Sequence, residues 1–476
     1  MCNRRGRREE RRLRKGLREQ GRWFNPPPLS GSFFRRLLPQ TSDNARDVVG
    51  WRNRRAVETR RQVRAVRTVS NRHTMTRMVV ARTWGWCAGA PRGVGGSRTR
   101  RAWRTCYSTQ TDPYTDRVEK ARFDCTAALG RADPSSVLLS KMYPAYSRDS
   151  FVAFRALNME LSKVSFGFQP GATAKSREFS NLKFAFWSQQ VEACETSTSE
   201  NAGAVSPRVN EPCTVSLADT VLRHLRLDAG MLKQMVHSHQ HFYNHNSAAG
   251  FRSLDDVCSF GEGTFSQMNY LMQSVLLSPQ LSGFADPGVA SLELPGSDDL
   301  RHGLTDISAH LGQATAVGSF LVGLRYFAEK KHTLMLPTDT LTKHRLSEEA
   351  CLRYSQGRAA DADPDTKERL KNVVFDMATR ANDHLISART KLDLVKTHVQ
   401  QLAAAPDTPA PVCSLLRHQK RGLPDCLFLP YLSGLPTTLY LERLEKYDFD
   451  SLHPNLMYKE WRLAFRLWNA ERTRSL

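Results

Sequence analysis

From Ser135 to the end of the chain, apolar residues recur at intervals of three and four, and alternating runs are few. That is the period of helices with one buried face, so the pattern predicts an all-α body. Between Thr366 and Leu402, Val373, Val374, Met377, Ala381, Leu385 and Leu392 lie on or near one stripe. An earlier helix carries its own start signal. Ser253 precedes Leu254-Asp-Asp, and Asp256 stands where it can complete a capping box; the apolar pattern then runs to Ser278-Pro279. The uncharged run Leu311–Leu324, LGQATAVGSFLVGL, has 14 residues. A bilayer span needs about 20, so the run predicts a buried central helix, and any membrane attachment is peripheral. Three stretches rich in Pro, Gly, Ser and Ala, around 196–212, 278–299 and 403–411, read as loops.

Charge changes the picture at the N-terminal side. Residues 1–110 hold 28 Lys+Arg against 6 Asp+Glu, a net of +22, whereas residues 111–476 hold 41 of each. A phosphate-neutralising surface needs its basic excess on the folded part, so no nucleic acid is expected as a partner. From Met75 to Gln110 there are seven arginines and no acid, with Ser, Thr, Ala and Gly between them. This is the composition of a mitochondrial transit peptide, with removal expected near Arg104. The Arg-rich residues 1–74 lack apolar periodicity and read as a disordered extension upstream of a start at Met75 or Met78. The expected organisation is therefore an extension at 1–74, a transit peptide at 75–110, a linker or first helix at 111–134, and one helical domain at 135–476. Ten cysteines stand singly with no CxxC, which favours thiols in a reducing compartment over disulfides or zinc.

Two places could carry chemistry. His237, His239, His241 and His245 crowd one segment. The pair at i and i+4 could bind a metal, but no acid or cysteine stands at a motif-like distance, and a solvated helix end is expected instead. The second place is SRDSFVAFRALNMELSKV, Ser147–Val164, taken together with SLDDVCSFGEGTFSQMNYLM from Ser253 and GLRYFAEKKHTLMLP from Gly323. These stretches resemble the squalene and phytoene synthase family, whose all-α members join two prenyl diphosphates.

The resemblance implies an isoprenoid-synthase-like single helical domain. It also implies a site in which carboxylates at i and i+4 of one helix face hold Mg²⁺ against a diphosphate. In this chain Arg155 is kept, while those two acid positions fall on Asn158 and Ser162. On the later helix, the positions of the family's Asn, Arg and acids fall on Phe320, Gly323, Leu324 and Ala328. Glu160 is no substitute, because two residues along a helix turn it about 200° away. Phe260 stands in place of a usual tyrosine. Magnesium needs hard oxygen ligands, so no metal, cofactor or catalytic residue is expected, and the scaffold reads as a pseudoenzyme. Arg155, Phe154, Phe260, Lys330 and Lys331 are candidates for what remains of the pocket.

A narrower resemblance, carried by FRALNMELSKV, NLKFAFWSQQVE, HLGQATAVGSFLVGLRYF and YDFDSLHPNL, is to the members of this family that act in mitochondrial complex I assembly. It implies a non-enzymatic factor on the matrix side of the inner membrane, with complex I subunits or other assembly factors as partners. A lipid or quinone is a further candidate for the pocket. The competing expectations are an active prenyl transferase and a lipid or quinone carrier. Near the C-terminus, Trp461, Leu463, Phe465, Leu467 and Trp468 stand among arginines. Of these, Trp461, Phe465 and Trp468 are the candidates for a membrane or partner surface.

Overall fold

A computed structural model of the chain describes residues 113–476 apart from 168–173, 201–210, 220–226, 228, 247–249, 279–290, 295, 358–364 and 418–421. The extension at 1–74 and the transit-type segment at 75–110 lie outside the described residues. Within the described part every regular element is helical. The chain begins with α1 (Pro113–Ala132), α2 (Pro134–Ser140), α3 (Ala145–Ser165), α4 (Ala174–Glu200), α5 (Pro212–Leu217) and α6 (Gly230–Asn246). Next come α7 (Leu254–Gly261), a π-helical turn (Glu262–Ser266), α8 (Gln267–Leu276) and α9 (Asp298–Tyr326), which a second π-helical turn (Phe327–Lys331) prolongs. The C-terminal part contains α10 (Thr338–Lys343), α11 (Glu348–Ser355), α12 (Thr366–Ala404), α13 (Ala410–Arg417), α14 (Asp425–Phe428), α15 (Leu435–Lys446) and α16 (Leu463–Thr473).

The body is organised around α9 and α12, which run along one another, with α7 and its π turn packed on α9. The predicted stripe of α12 is buried throughout, from Val373 to Leu392, and continues to Val395 and Val399. The uncharged run lies inside α9, where Leu311, Ala314, Ala316, Val317 and Leu321 are all at most 1% exposed. Asp298–Lys331 is long and apolar enough to cross a membrane, but 61% of its apolar window is buried within the protein. A helix apolar on several faces finds its partners in a core as readily as in lipid. Close approach of α7 depends on small residues: a Cβ on Gly261 would stand 2.7 Å from that of Ala316. The capping box forms as the sequence indicates, the Asp256 N–H donating to Ser253 Oγ and the Ser253 N–H to the Asp256 carboxylate, both at 3.1 Å.

Three boundaries differ from expectation. The backbone of 196–200 completes α4, since Ser and Thr lower helix propensity by only tenths of a kcal/mol and the packed turns before them decide. The stretch 403–411 narrows to a connection between α12 and α13. Asp298 and Asp299, at the end of an expected loop, instead form the first turn of α9, where acids complement the helix dipole. Residues 111–134 contain α1, whose Val118, Ala121, Cys125 and Leu129 are buried and which packs on α3 and α5. Seven described cysteines are free, six of them buried.

Candidate functional site

α3 carries three side chains that matter, and its pitch sends them to different places. Arg155 leans towards α2, where its Nε donates to Ser136 Oγ at 2.7 Å and its Nη2 to the Asp133 carboxylate at 2.5 Å. Burial alone would raise the Asp133 pKa, but the charge of Arg155 and the hydrogen bonds from Ser136 and Arg155 outweigh it and hold the carboxyl below its ordinary value. One turn on, Asn158 faces α6. Its Oδ1 lies 3.1 Å from His239 Nε2, while His239 Nδ1 lies 2.8 Å from Ser165 Oγ. An amide oxygen can only accept, so Nε2 carries the proton and the unprotonated Nδ1 faces Ser165 Oγ, whose hydroxyl also lies 3.0 Å from the Leu161 carbonyl. His239 is 1% exposed, and burial depresses its pKa to about 3, so the imidazole is neutral. Ser162 turns back on its own helix and donates to the Asn158 carbonyl at 2.7 Å. Glu160 points elsewhere and pairs with Lys163 at 2.5 Å.

The far end of α9 meets the end of α3 through aromatic rings. Phe166, one turn beyond Ser162, stands with its ring centroid 5.6 Å from those of Phe320 and Phe327. Phe242, Phe251 and Phe260 complete a cluster of six: Phe320 lies 4.8 Å from Phe251 and 5.9 Å from Phe260, and Phe166 lies 5.0 Å from Phe242. His239 stands edge-on to Phe260 at 5.1 Å. Leu324 and Ala328, on the same helix, are 1% and 0% exposed. At Gly323 a Cβ would come within 2.9 Å of the Phe327 ring, so the π turn that folds Phe327 inward and the glycine beside it belong together. Among the described residues no three His, Cys, Asp or Glu gather as a bound metal ion would require.

Two cavities involve the residues singled out above. One, of about 270 Å³, lies between α2, α3, α8, α9 and α15 and is lined by Leu139, Phe154, Arg155, Met268, Met272 and Val322 among others. Its lining is mostly apolar, with Asp133, Ser136 and Arg155 supplying the charged groups and Asn269, Thr315, Ser433 and Thr437 further polar ones. The other, an open cleft of about 420 Å³ beside α6 and α7, is bordered by His237, His241, His245, Arg252, Asp256 and Phe260. The five side chains proposed as a residual pocket therefore separate. Phe154 and Arg155 line the first cavity and Phe260 the second, while Lys330 is exposed, Lys331 half-buried, and both lie outside either lining. The π turn carries the lysines past the cluster to the surface, although Leu334–Pro337 beyond them are buried.

Of the four clustered histidines expected at a solvated helix end, His239 departs from the expectation, at 1% exposure. His237, His241 and His245 form a ladder on the outer face of α6, the last two stacked at 4.2 Å. His239 is offset by two residues, about 200° around the helix, and enters the core. The same offset that removes Glu160 from consideration was the available signal.

The arrangement defines an all-α, isoprenoid-synthase-like body whose inner end is closed by neutral hydrogen bonds and phenylalanine rings. Residues 129–462 match the squalene/phytoene synthase family, and the chain belongs to it. Relatives named NADH dehydrogenase (ubiquinone) complex I, assembly factor 6 are 22% identical to this chain. The bovine one aligns over 344 residues and the human one over 346, in each case 72% of this chain and 80% of the relative. The Drosophila melanogaster homolog is likewise 22% identical over 72% of this chain and 81% of its own length. A dehydrosqualene synthase solved in complex with a ligand superposes with a TM-score of 0.49 at 11% identity, covering 76% of this chain and 99% of that one.

Proposed function

We propose that the chain is a non-enzymatic assembly factor for mitochondrial respiratory complex I, acting on the matrix side of the inner membrane on complex I subunits or other assembly factors. The observation that carries this reading is the state of the inner site. Where the family resemblance puts carboxylates, Asn158 is engaged by a neutral histidine and Leu324 and Ala328 are buried apolar residues; Phe320, where it puts an Asn, is buried too. Ionising a diphosphate requires a hard-ligand cation site, and amide, hydroxyl and aromatic groups do not supply one. The relatives' names and the transit-type segment at 75–110 support the same reading. Native gels of respiratory complexes from mitochondria with and without the gene test it. Selective loss of assembled complex I, restored by re-expression, is expected; unchanged complex I would overturn the role, and Mg²⁺-dependent diphosphate release by the purified protein would overturn the non-enzymatic part.

The 270 Å³ cavity favours a second reading, a carrier of a lipid or quinone. Its volume, about 270 Å³, falls just below the roughly 300–1,000 Å³ typical of small-molecule sites. It could take part of one apolar chain, with a polar group held near Arg155 and Ser136. Native mass spectrometry of the purified protein distinguishes the two: a bound small molecule of defined mass supports the carrier.

A further inference from the structure

The C-terminal helix uses its apolar residues on two faces. Leu463, Leu467 and Ala470 of α16 are buried against the domain, at 3%, 1% and 3% exposure. On the other side Trp461, Phe465 and Trp468 are 84%, 63% and 50% exposed, and Met457 and Tyr458 just before the helix are 60% and 71% exposed. These five stand within 12 residues of sequence, among 13 large apolar side chains exposed in the whole described chain. A single exposed apolar residue needs no explanation, but five so close in sequence, with the Phe465 and Trp468 rings 5.9 Å apart, call for one.

Charge decides the occupant. Within 457–476 the fully exposed Lys, Arg, Asp and Glu side chains are Lys459 and Arg472, both basic, while Glu471 of α16 is half-buried; Arg472 lies over the Trp468 ring at 5.1 Å. The acids nearby are occupied: Glu442 accepts from Arg462 and Arg466, and Glu460 from Arg462. The outer face is therefore aromatic and cationic, without an exposed acidic side chain. None of the residues from Met457 to Trp468 borders either cavity described above, and Trp461, Phe465 and Trp468 are at least half exposed. Projecting Trp and Tyr rings beside Lys and Arg match the headgroup layer of a phospholipid surface, where indoles sit at the polar boundary and cations meet lipid phosphates.

We propose that Met457, Tyr458, Trp461, Phe465 and Trp468 insert into the interfacial layer of an anionic phospholipid membrane, with Lys459 and Arg472 on its phosphates. α16 thereby becomes a peripheral membrane foot. This rests on the proposed placement at a membrane, but vesicle binding reads the surface alone, whereas native gels read the assembly role.

The test is flotation of the full chain with phosphatidylcholine vesicles containing a minority of phosphatidylglycerol, at about 1 M salt, where a Debye length near 3 Å suppresses binding by the basic N-terminal segment. Wild type is expected to float. A Trp461→Ser/Phe465→Ser/Trp468→Ser variant, with unchanged melting temperature, is expected to lose at least about tenfold in vesicle partition. A Phe179→Ser/Leu182→Ser variant, altering exposed apolar residues of α4, is expected to float like wild type. At low salt, Lys459→Glu/Arg472→Glu should weaken binding to anionic vesicles more than to neutral ones. Absence of wild-type flotation at high salt, equal flotation of the triple variant, or an equal loss in the α4 control would each overturn the proposal.

Discussion

Restoring a carboxylate to α9 tests whether the inner site could still serve a metal. Leu324→Asp places an acid at a position that is 1% exposed. Losing the buried leucine costs about 1.5–3 kcal/mol. A lone aspartate buried at this position cannot stay charged, and holding it protonated at pH 7 costs about 1.4 kcal/mol for each unit above its ordinary pKa near 3.9, or about 4 kcal/mol. The sum, about 6 kcal/mol, is comparable with the whole stability of an ordinary domain, about 5–15 kcal/mol. Leu324→Asn carries the lost burial without titrating. Because the folded-state pKa of the aspartate is raised, its extra penalty is absent below about pH 4 and grows by about 1.4 kcal/mol per unit as pH rises towards that folded value. Urea denaturation of both variants from pH 4 to 7 should therefore show coincident midpoints at the acid end and a widening deficit for the aspartate. Mg²⁺ should not close that deficit. Equal stability at pH 7, or a Mg²⁺-dependent rise in the midpoint of Leu324→Asp alone, would refute the reasoning and reopen a metal-dependent reading of the site.

Other perturbations probe the neighbouring contacts. His239 is held neutral with a pKa of about 3; a lowered histidine pKa means the unfolded chain takes up the proton first, so stability should fall by up to about 1.4 kcal/mol per unit as pH drops from 6.5 towards 3. Denaturation across that range should show a shallower acid limb in His239→Gln than in wild type. Asn158→Leu leaves the His239 Nε2–H buried without its acceptor and should cost about 1–3 kcal/mol, read as a shift in urea midpoint. The depressed Asp133 contributes stability above its ordinary pKa and loses it as pH falls through the lowered folded value; Asp133→Asn should abolish that part of the acid dependence while weakening the hold on Arg155. Arg474 is fully buried, pairs with Asp425 and lies 5.1 Å from the Phe428 ring centroid. Because Asp425 is half exposed and rehydrates, Arg474→Ala should cost about 1.5–3 kcal/mol, the worth of hydrogen bonds to a charged group, and raise amide exchange in α16 selectively.

The helical period, the cap at Ser253, the buried run inside α9 and the stripe of α12 could all be read directly from the chain, because each depends on residues a few positions apart. So could the neutral charge of the body and the identities of Asn158, Ser162, Phe320, Gly323, Leu324 and Ala328. The partners of those residues could not be read in this way. Asn158 meets His239 across 81 positions, and Phe166 meets Phe320 across more still; no local pattern encodes such pairings. The two π turns are similarly hidden, since a single added residue in a helical turn leaves the apolar period almost intact while re-aiming the side chains beyond it. That change folds Phe327 into the cluster and carries Lys330 to the surface. The C-terminal stripe divides for the same reason. Its composition announces an amphipathic helix, but only packing against the domain decides that Leu463 and Leu467 face inward while Trp461, Phe465 and Trp468 are left to the solvent side.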